Sequence, residues 1–208
     1  MDRKRVGIVL FGDVEVLDFC GPFEVLSAVR LCEEQRREDQ SPFEVFLIAE
    51  SSDPVTTTGG MQVLPHTTLD ACPRLEIVIC PGGWGTRREL NNPVLLDWLR
   101  QKSAEAETVA AVCTGSLVLG FAGLLDGKRA TTHWRSLDWM RDTLPAVCVE
   151  YEKHFVIDGR VFTSAGISAG IDMSLKLVEY YFGEQIARAT ARHMEYVYPE
   201  DDQRRIQL

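Results

Sequence analysis

The sequence predicts an α/β protein with a single domain over residues 1–208, a three-layer α/β/α sandwich around a mostly parallel sheet. Four short apolar runs rich in β-branched residues recur along the chain, and helical patterns separate them. Near-continuous apolar strands that alternate with helices indicate a parallel sheet covered on both faces. A chain of 208 residues with 45% hydrophobic residues is long enough to bury one core of this kind.

The individual elements follow from the spacing of apolar residues. The predicted strands are 6–11, 43–48, 77–80 and 109–112. The predicted helices are 21–32, 92–104, 116–122, 134–142 and 171–182, with Pro22 and Pro93 in positions typical of first turns. Two further segments, 55–64 and 153–163, are typical of β-hairpins, the second because it contains an Asp-Gly turn.

The charge of the chain bears on its partners. Its net charge is −9 at pH 7, which disfavours nucleic acid and anionic membranes because either would require a basic surface. A small neutral or cationic ligand fits this balance better. The uncharged stretch 109–125 barely reaches the length of a membrane span, and polar residues and glycines interrupt it, so it indicates a buried strand and helix.

The start of the chain and its cysteines predict a location. Charged residues are followed at once by the first predicted strand, so we expect no export signal. The six cysteines show neither a CxxC pair nor zinc-site spacing, which predicts free thiols, no metal and a reducing cytoplasm. Five of them lack any special context and are expected to be structural: Cys20, Cys32, Cys72, Cys80 and Cys148.

Cys113 is different because it lies between a predicted strand and a predicted helix. Gly115 gives such a turn room, and Thr114 and Ser116 offer capping hydroxyls. Free N–H groups and the helix dipole favour an anion there, and a thiol in that field can have a pKa of roughly 3.5–7.5. We therefore expect a reactive thiolate, the alternative being a small buried core residue.

Three other segments lie at the same predicted edge of the sheet, where ligands bind in open α/β folds. Asp18, in an apolar setting after the first strand, is either a helix N-cap or a catalytic acid. Gly82 and Gly83 follow the third strand, and their N–H groups are expected to converge on an oxyanion. His133 precedes a helix, as a general base or a structural residue. Phe19, Trp84, Trp134 and Ile167 are candidates for an apolar lining, although large aromatic residues there are often core.

Three motifs in the same order resemble the ThiJ/PfpI superfamily: Asp18, Pro81-Gly82-Gly83 and Cys113-Thr114-Gly115. The resemblance runs from residue 6 to about residue 198 and implies a flavodoxin-like, class I glutamine amidotransferase-like fold. Members that act as peptidases or glyoxalases follow the cysteine with histidine, whereas this chain has Thr114. Amidotransferases have a histidine near the last strand, which segment 164–168 lacks, and 208 residues leave no expected room for the DNA-binding domain of related transcription factors.

Within that superfamily, Asp18, Cys113 and Thr114 match the positions that carry activity in isonitrile hydratases, which add water to R–N≡C to give an N-substituted formamide. The resemblance implies that these three residues are catalytic and that Gly82, Gly83, Trp84, His133 and Ile167 line a site for a small apolar isocyanide. It also implies a homodimer without a metal or organic cofactor.

The chemistry of an isocyanide leaves two assignments open. Its terminal carbon must be protonated before it is attacked, so a protonated Asp18 gives the proton and the Cys113 thiolate or a water held by Thr114 attacks. In the other assignment Asp18 is charged and Cys113 is the proton donor. Two further functions remain open: a glyoxalase or deglycase acting on ketoaldehydes, and a redox sensor or ligand-binding module built on Cys113.

Overall fold

A seven-stranded sheet forms the middle layer of the computed structural model, which describes residues 2–207. The strands of the protein are β1 (Lys4–Val9), β2 (Phe43–Ala49), β3 (Val55–Thr56), β4 (Gln62–Val63), β5 (Thr67–Thr68), β6 (Ile77–Cys80), β7 (Thr108–Val112), β8 (Arg129–Ala130), β9 (Cys148–Val149), β10 (Phe155–Asp158) and β11 (Val161–Ser164). The sheet order is β10-β11-β7-β6-β1-β2-β5, and every neighbouring pair is parallel except β10 with β11. The mostly parallel sheet is therefore confirmed.

Two groups of helices cover the sheet. The helices are α1 (Val16–Ala28), α2 (Thr86–Glu89), α3 (Pro93–Glu105), α4 (Gly115–Phe121), α5 (Leu137–Thr143), α6 (Ala169–Phe182) and α7 (Glu184–His193). Helices α1, α6 and α7 contact one another, and α2 and α3 both contact α4. Strands β6 and β7 are buried at every residue, which places the centre of the core between these two groups. The predicted three-layer arrangement is confirmed.

Several predicted elements are confirmed closely. Helix α3 begins after Asn92, whose side chain accepts hydrogen bonds from the amides of Val94 and Leu95. Both predicted hairpins are present, as β3 with β4 and β10 with β11. Among residues 2–207, no helix is both long enough and apolar enough to cross a membrane.

The predicted start of the first helix is wrong. Helix α1 begins at Val16 rather than at residue 21, so Pro22 lies inside the helix and not in its first turn. The amide of Glu15 donates to Gly82 O at 2.9 Å, and the amide of Asp18 donates to Glu15 O at 3.2 Å. With these bonds the helix begins five residues before Gly21-Pro22, the pair whose sequence is typical of a helix start. Asp18 is consequently in the first turn, and Glu15 occupies the N-cap position.

Other differences concern short or highly charged elements. Strand β1 ends at Val9, two residues before the predicted end. The predicted helix 134–142 divides into a 3₁₀ turn, Trp134–Ser136, and helix α5. Helices α2 and α7 and the parallel pair β8–β9 were not predicted. Helix α7 alternates charged and small residues, and β8 and β9 have two residues each, too few for a periodic pattern.

Candidate active site

Cys113 stands on a tight turn between β7 and α4, as predicted. Its φ is +56°, in the left-handed region that non-glycine residues seldom adopt and that is common at functional sites. A Cβ on Gly115 would lie 2.1 Å from Cys80 O, so only glycine lets the turn pack against β6. The hydroxyls of Ser116 and Thr132 both donate to Cys113 O at 2.9 Å. The surrounding chain therefore holds the cysteine in a strained backbone conformation.

Asp18 is fully buried, and its carboxyl group contacts the turn after β6. Its Oδ2 accepts a hydrogen bond from the Gly82 amide at 3.0 Å, whereas the buried Oδ1 has no partner of standard geometry within residues 2–207. Burial raises the pKa of Asp18 to about 8, and the charge of Glu15 adds to this, although Gly82 and the Cys113 thiol act in the opposite direction. Asp18 is therefore mainly protonated at pH 7.

The Cys113 thiol is also buried, and this makes the predicted low pKa wrong. Burial and then the charge of Asp18 raise the pKa of the thiol well above its ordinary value. The amide and the hydroxyl of Thr114 favour the thiolate, but their effect is smaller. The loss of hydration in the interior outweighs the field at the start of α4. At neutral pH the site therefore holds a carboxylic acid beside a thiol.

Thr114 links the tight turn at Cys113, which we call the elbow, to the two glycines after β6. Its Oγ1 accepts a hydrogen bond from the Gly83 amide at 3.1 Å and lies 3.2 Å from Thr86 Oγ1. The Gly82 amide is held by Asp18, so both amides bind side chains of the protein itself. This corrects the expectation that they converge on an oxyanion. A Cβ on Gly82 would lie 2.9 Å from Asp18 Oδ2, so glycine permits this approach.

A cavity of about 370 Å³, the Cys113 cavity, opens above the thiol. Four of the five residues predicted to bind substrate line it: Gly83, Trp84, His133 and Ile167. Cys113 and Thr114 also face it, whereas Gly82 and Asp18 lie beneath the lining. The remaining lining residues are Glu15, Arg87, Trp134, Arg135 and Ser136. Of these, only Trp134 was a sequence candidate, because single arginine, serine and glutamate residues are common in any polar segment and give no distinctive local pattern.

His133 lies on the same side of the cavity as Cys113. A Cβ on Gly166 would be 2.5 Å from His133 Cδ2 and 2.7 Å from the Cys113 sulfur, so both side chains flank this glycine. Burial, Arg135 and Arg204 lower the pKa of His133, which is therefore neutral at pH 7. Its Nδ1 accepts from the Arg135 amide at 3.3 Å, which leaves the proton on Nε2. In this tautomer the imidazole offers a hydrogen-bond donor rather than a base.

Known proteins share this fold and sequence. The model of the DJ-1/PfpI family matches residues 4–180. Isonitrile hydratase from Pseudomonas putida is 40% identical over 192 residues, which cover 92% of this chain and 78% of that protein. The HTH-type transcriptional regulator CdhR from Pseudomonas aeruginosa is 33% identical over 164 residues, 78% of this chain but only 48% of the regulator.

A solved structure agrees with the sequence matches. The crystal structure of a THiJ/PfpI family protein from Pseudomonas syringae superposes with a TM-score of 0.84 at 29% identity, covering 97% of this chain and 78% of the other. The family model, both relatives and this structure each match more than three quarters of the chain. The protein is therefore a member of the DJ-1/PfpI family.

Proposed function

We propose that the protein hydrates isocyanides, R–N≡C, to N-substituted formamides. The observation that carries the proposal is a buried carboxylic acid, Asp18, that keeps its proton at pH 7 beside the Cys113 thiol at the base of a cavity. An isocyanide needs a proton and a nucleophile at the same carbon, and this pair holds both. The 40% identity to an isonitrile hydratase supports the same chemistry.

Burial determines which group meets the substrate. Cys113 lines the cavity, whereas Asp18 lies beneath it and interacts with the thiol. The thiol proton therefore goes to the isocyanide carbon, and the sulfur bonds to that carbon to give a thioimidate, R–N=CH–S. The Thr114 amide favours the charge that develops on sulfur. In this proposal the protonated Asp18 donates its O–H to the sulfur as well, which the ionised carboxylate could not do.

Water completes the reaction. It adds to the thioimidate carbon, one proton goes to nitrogen and one to sulfur, and the C–S bond breaks. The products are R–NH–CHO and the original thiol, so one water is consumed and nothing is oxidised or reduced. Asp18 acts as acid and base for the sulfur, which it contacts, and the neutral His133 offers a hydrogen-bond donor at the same cavity.

The test is turnover of cyclohexyl isocyanide by the purified protein, with the formamide followed by ¹³C NMR. Cys113→Ala should abolish turnover, whereas Cys148→Ala, which removes an exposed cysteine in β9, should retain it. Substantial formamide production by Cys113→Ala would show that water attacks the isocyanide directly and that no thioimidate forms. No formamide from any of several isocyanides would reject the proposed function.

The same preparation separates the other functions. Conversion of methylglyoxal to lactate without any formamide would assign the protein to ketoaldehyde chemistry. Selective oxidation of Cys113 by mild peroxide would favour a redox sensor, although the raised pKa of this thiol disfavours it. The homodimer is a proposal that rests on the resemblance, and light scattering in solution tests it. The cytoplasmic location is a proposal that rests on the pattern of cysteines.

A further inference from the structure

Two cavities meet beside the reactive thiol. Beyond the Cys113 cavity is a second cavity of about 510 Å³, and Arg87, Thr114, Arg135 and Ser136 border both. The far wall of the second cavity is largely apolar and includes the stacked rings of Phe121 and Trp139. A substrate that reaches Cys113 therefore lies beside the two arginines, with apolar surface available for its body.

The two guanidinium groups are held in place but carry no counterion from the protein. Arg87 stacks 4.2 Å from the Trp84 ring centroid, and Arg135 stacks 4.8 Å from that of Trp134. Within residues 2–207, neither side chain forms a salt bridge or donates a hydrogen bond, whereas the adjacent Arg88 pairs with Asp13 at 2.9 Å. The stacked rings restrict where each guanidinium can lie, which prepares it to bind an anion.

The local charge is opposite to that of the whole chain. Among residues 2–207, Glu15 is the only acid that lines either cavity, against two arginines, and it lines the Cys113 cavity alone. A protein of net charge −9 repels anions on average. The positive charge of Arg87 and Arg135, at the boundary between the two cavities, is therefore a local feature. The expectation of a neutral or cationic ligand, which came from the net charge alone, does not describe this boundary.

We infer that the preferred substrates are isocyanides with a carboxylate on the side of the molecule away from the isocyano group. Arg87 and Arg135 bind the carboxylate, the tryptophans and the apolar wall contact the body, and the isocyanide carbon meets Cys113. This inference rests on the proposed hydration activity and names its substrate class. The two arginines then determine which substrate is preferred, and they take no part in the bond-making steps.

The first experiment compares trans-4-isocyanocyclohexanecarboxylate with its neutral carboxamide. We expect kcat/KM to be about tenfold or more higher for the carboxylate. This ratio corresponds to the lower end of the free energy that a hydrogen bond to a charged group contributes. Arg87→Gln and Arg135→Gln should each bring the ratio of the two kcat/KM values close to one, mainly by raising KM for the carboxylate. Arg141→Gln is the matched control, because it removes one positive charge from α5 but lines neither cavity.

A binding experiment separates the inference from the activity. Calorimetry with the unreactive trans-4-formamidocyclohexanecarboxylate should show binding that its carboxamide lacks and that Arg87→Gln and Arg135→Gln weaken. Equal turnover of both isocyanides, with equal binding of both formamides, would overturn the inference and leave hydration standing. Carboxylate-selective binding without turnover of either isocyanide would reject hydration and retain the anion site.

Discussion

The amide nitrogen of Gly82 donates a hydrogen bond to Asp18 Oδ2 at 3.0 Å, which ties the turn after β6 to the first turn of α1. This bond favours the charged carboxylate, yet burial has the larger effect and raises the pKa of Asp18 to about 8. The turn therefore positions the acid without ionising it. Cys113 interacts with this acid and lines the cavity where the proposed substrate binds.

The pH dependence of hydration should follow the Asp18 proton. Because its pKa is raised to about 8, we expect kcat to be constant near pH 6–7 and to fall as the pH rises through about 8. Initial rates of formamide production across pH 5–10 measure this, at saturating substrate. A rate that remains constant to pH 10 would show that no proton on Asp18 is needed. Asp18→Asn should lower kcat and remove the descending limb.

The stability of the protein should also depend on Asp18. In the folded state the carboxyl keeps its proton up to about pH 8, whereas in the unfolded state it loses it near its ordinary value of 3.8. Its contribution is fully present at low pH and is lost between these two values, with a slope of up to about 1.4 kcal/mol per pH unit. Urea unfolding of wild type and Asp18→Asn across this range measures the effect. Parallel stability curves for the two proteins would contradict it.

Thr114→Val should loosen the contact between the elbow and the turn after β6. The Gly83 amide loses the Oγ1 acceptor that lies 3.1 Å away, which should cost about 1 kcal/mol of stability because the site is partly buried. We also expect turnover to fall, since Gly83 lines the Cys113 cavity. Thr114→Ser keeps the hydroxyl and is the control. Equal stability and turnover in the two variants would show that the hydroxyl has no such role.

Gly115→Ala should displace the cysteine turn. The added methyl would lie 2.1 Å from Cys80 O, so the backbone must move, and we expect a loss of about 2 kcal/mol or more with a large loss of turnover. Gly123→Ala is the control, because its φ is +75° but nothing lies within 4 Å of the added methyl. It should cost about 1 kcal/mol and keep full activity. Normal activity in Gly115→Ala would contradict the close packing at the elbow.

Patterns that depend on neighbouring residues in the chain predicted much of the fold. The apolar runs of β1, β2, β6 and β7 and the turn at Cys113 are visible in the sequence because burial and turn geometry act locally there. The start of α1 was missed because the bond that fixes its N-cap residue, from the Glu15 amide to Gly82 O, joins residues more than sixty positions apart. The Gly-Pro pair offered a stronger local signal at the wrong position.

The chemistry of the site depends on the fold more than on motifs. Sequence places Cys113 at a helix start, which favours a thiolate, but it cannot show that burial and Asp18 outweigh that field. Nor can it show that Arg87 and Arg135, on separate segments, share a boundary between two cavities. Each arginine stacks on a tryptophan nearby in the chain, and only the fold brings the two pairs together.

The proposed function depends most on Asp18 being protonated at neutral pH. A ¹³C NMR titration of its carboxyl carbon measures the pKa of this group directly. Aspartate labelled at that carbon, with Asp18→Asn used to assign the signal, reports one residue without requiring any substrate. We expect a midpoint near pH 8, with the acid form present at neutral pH. A midpoint near the ordinary value of 3.8 would contradict it, because Asp18 would then carry no proton to share with Cys113.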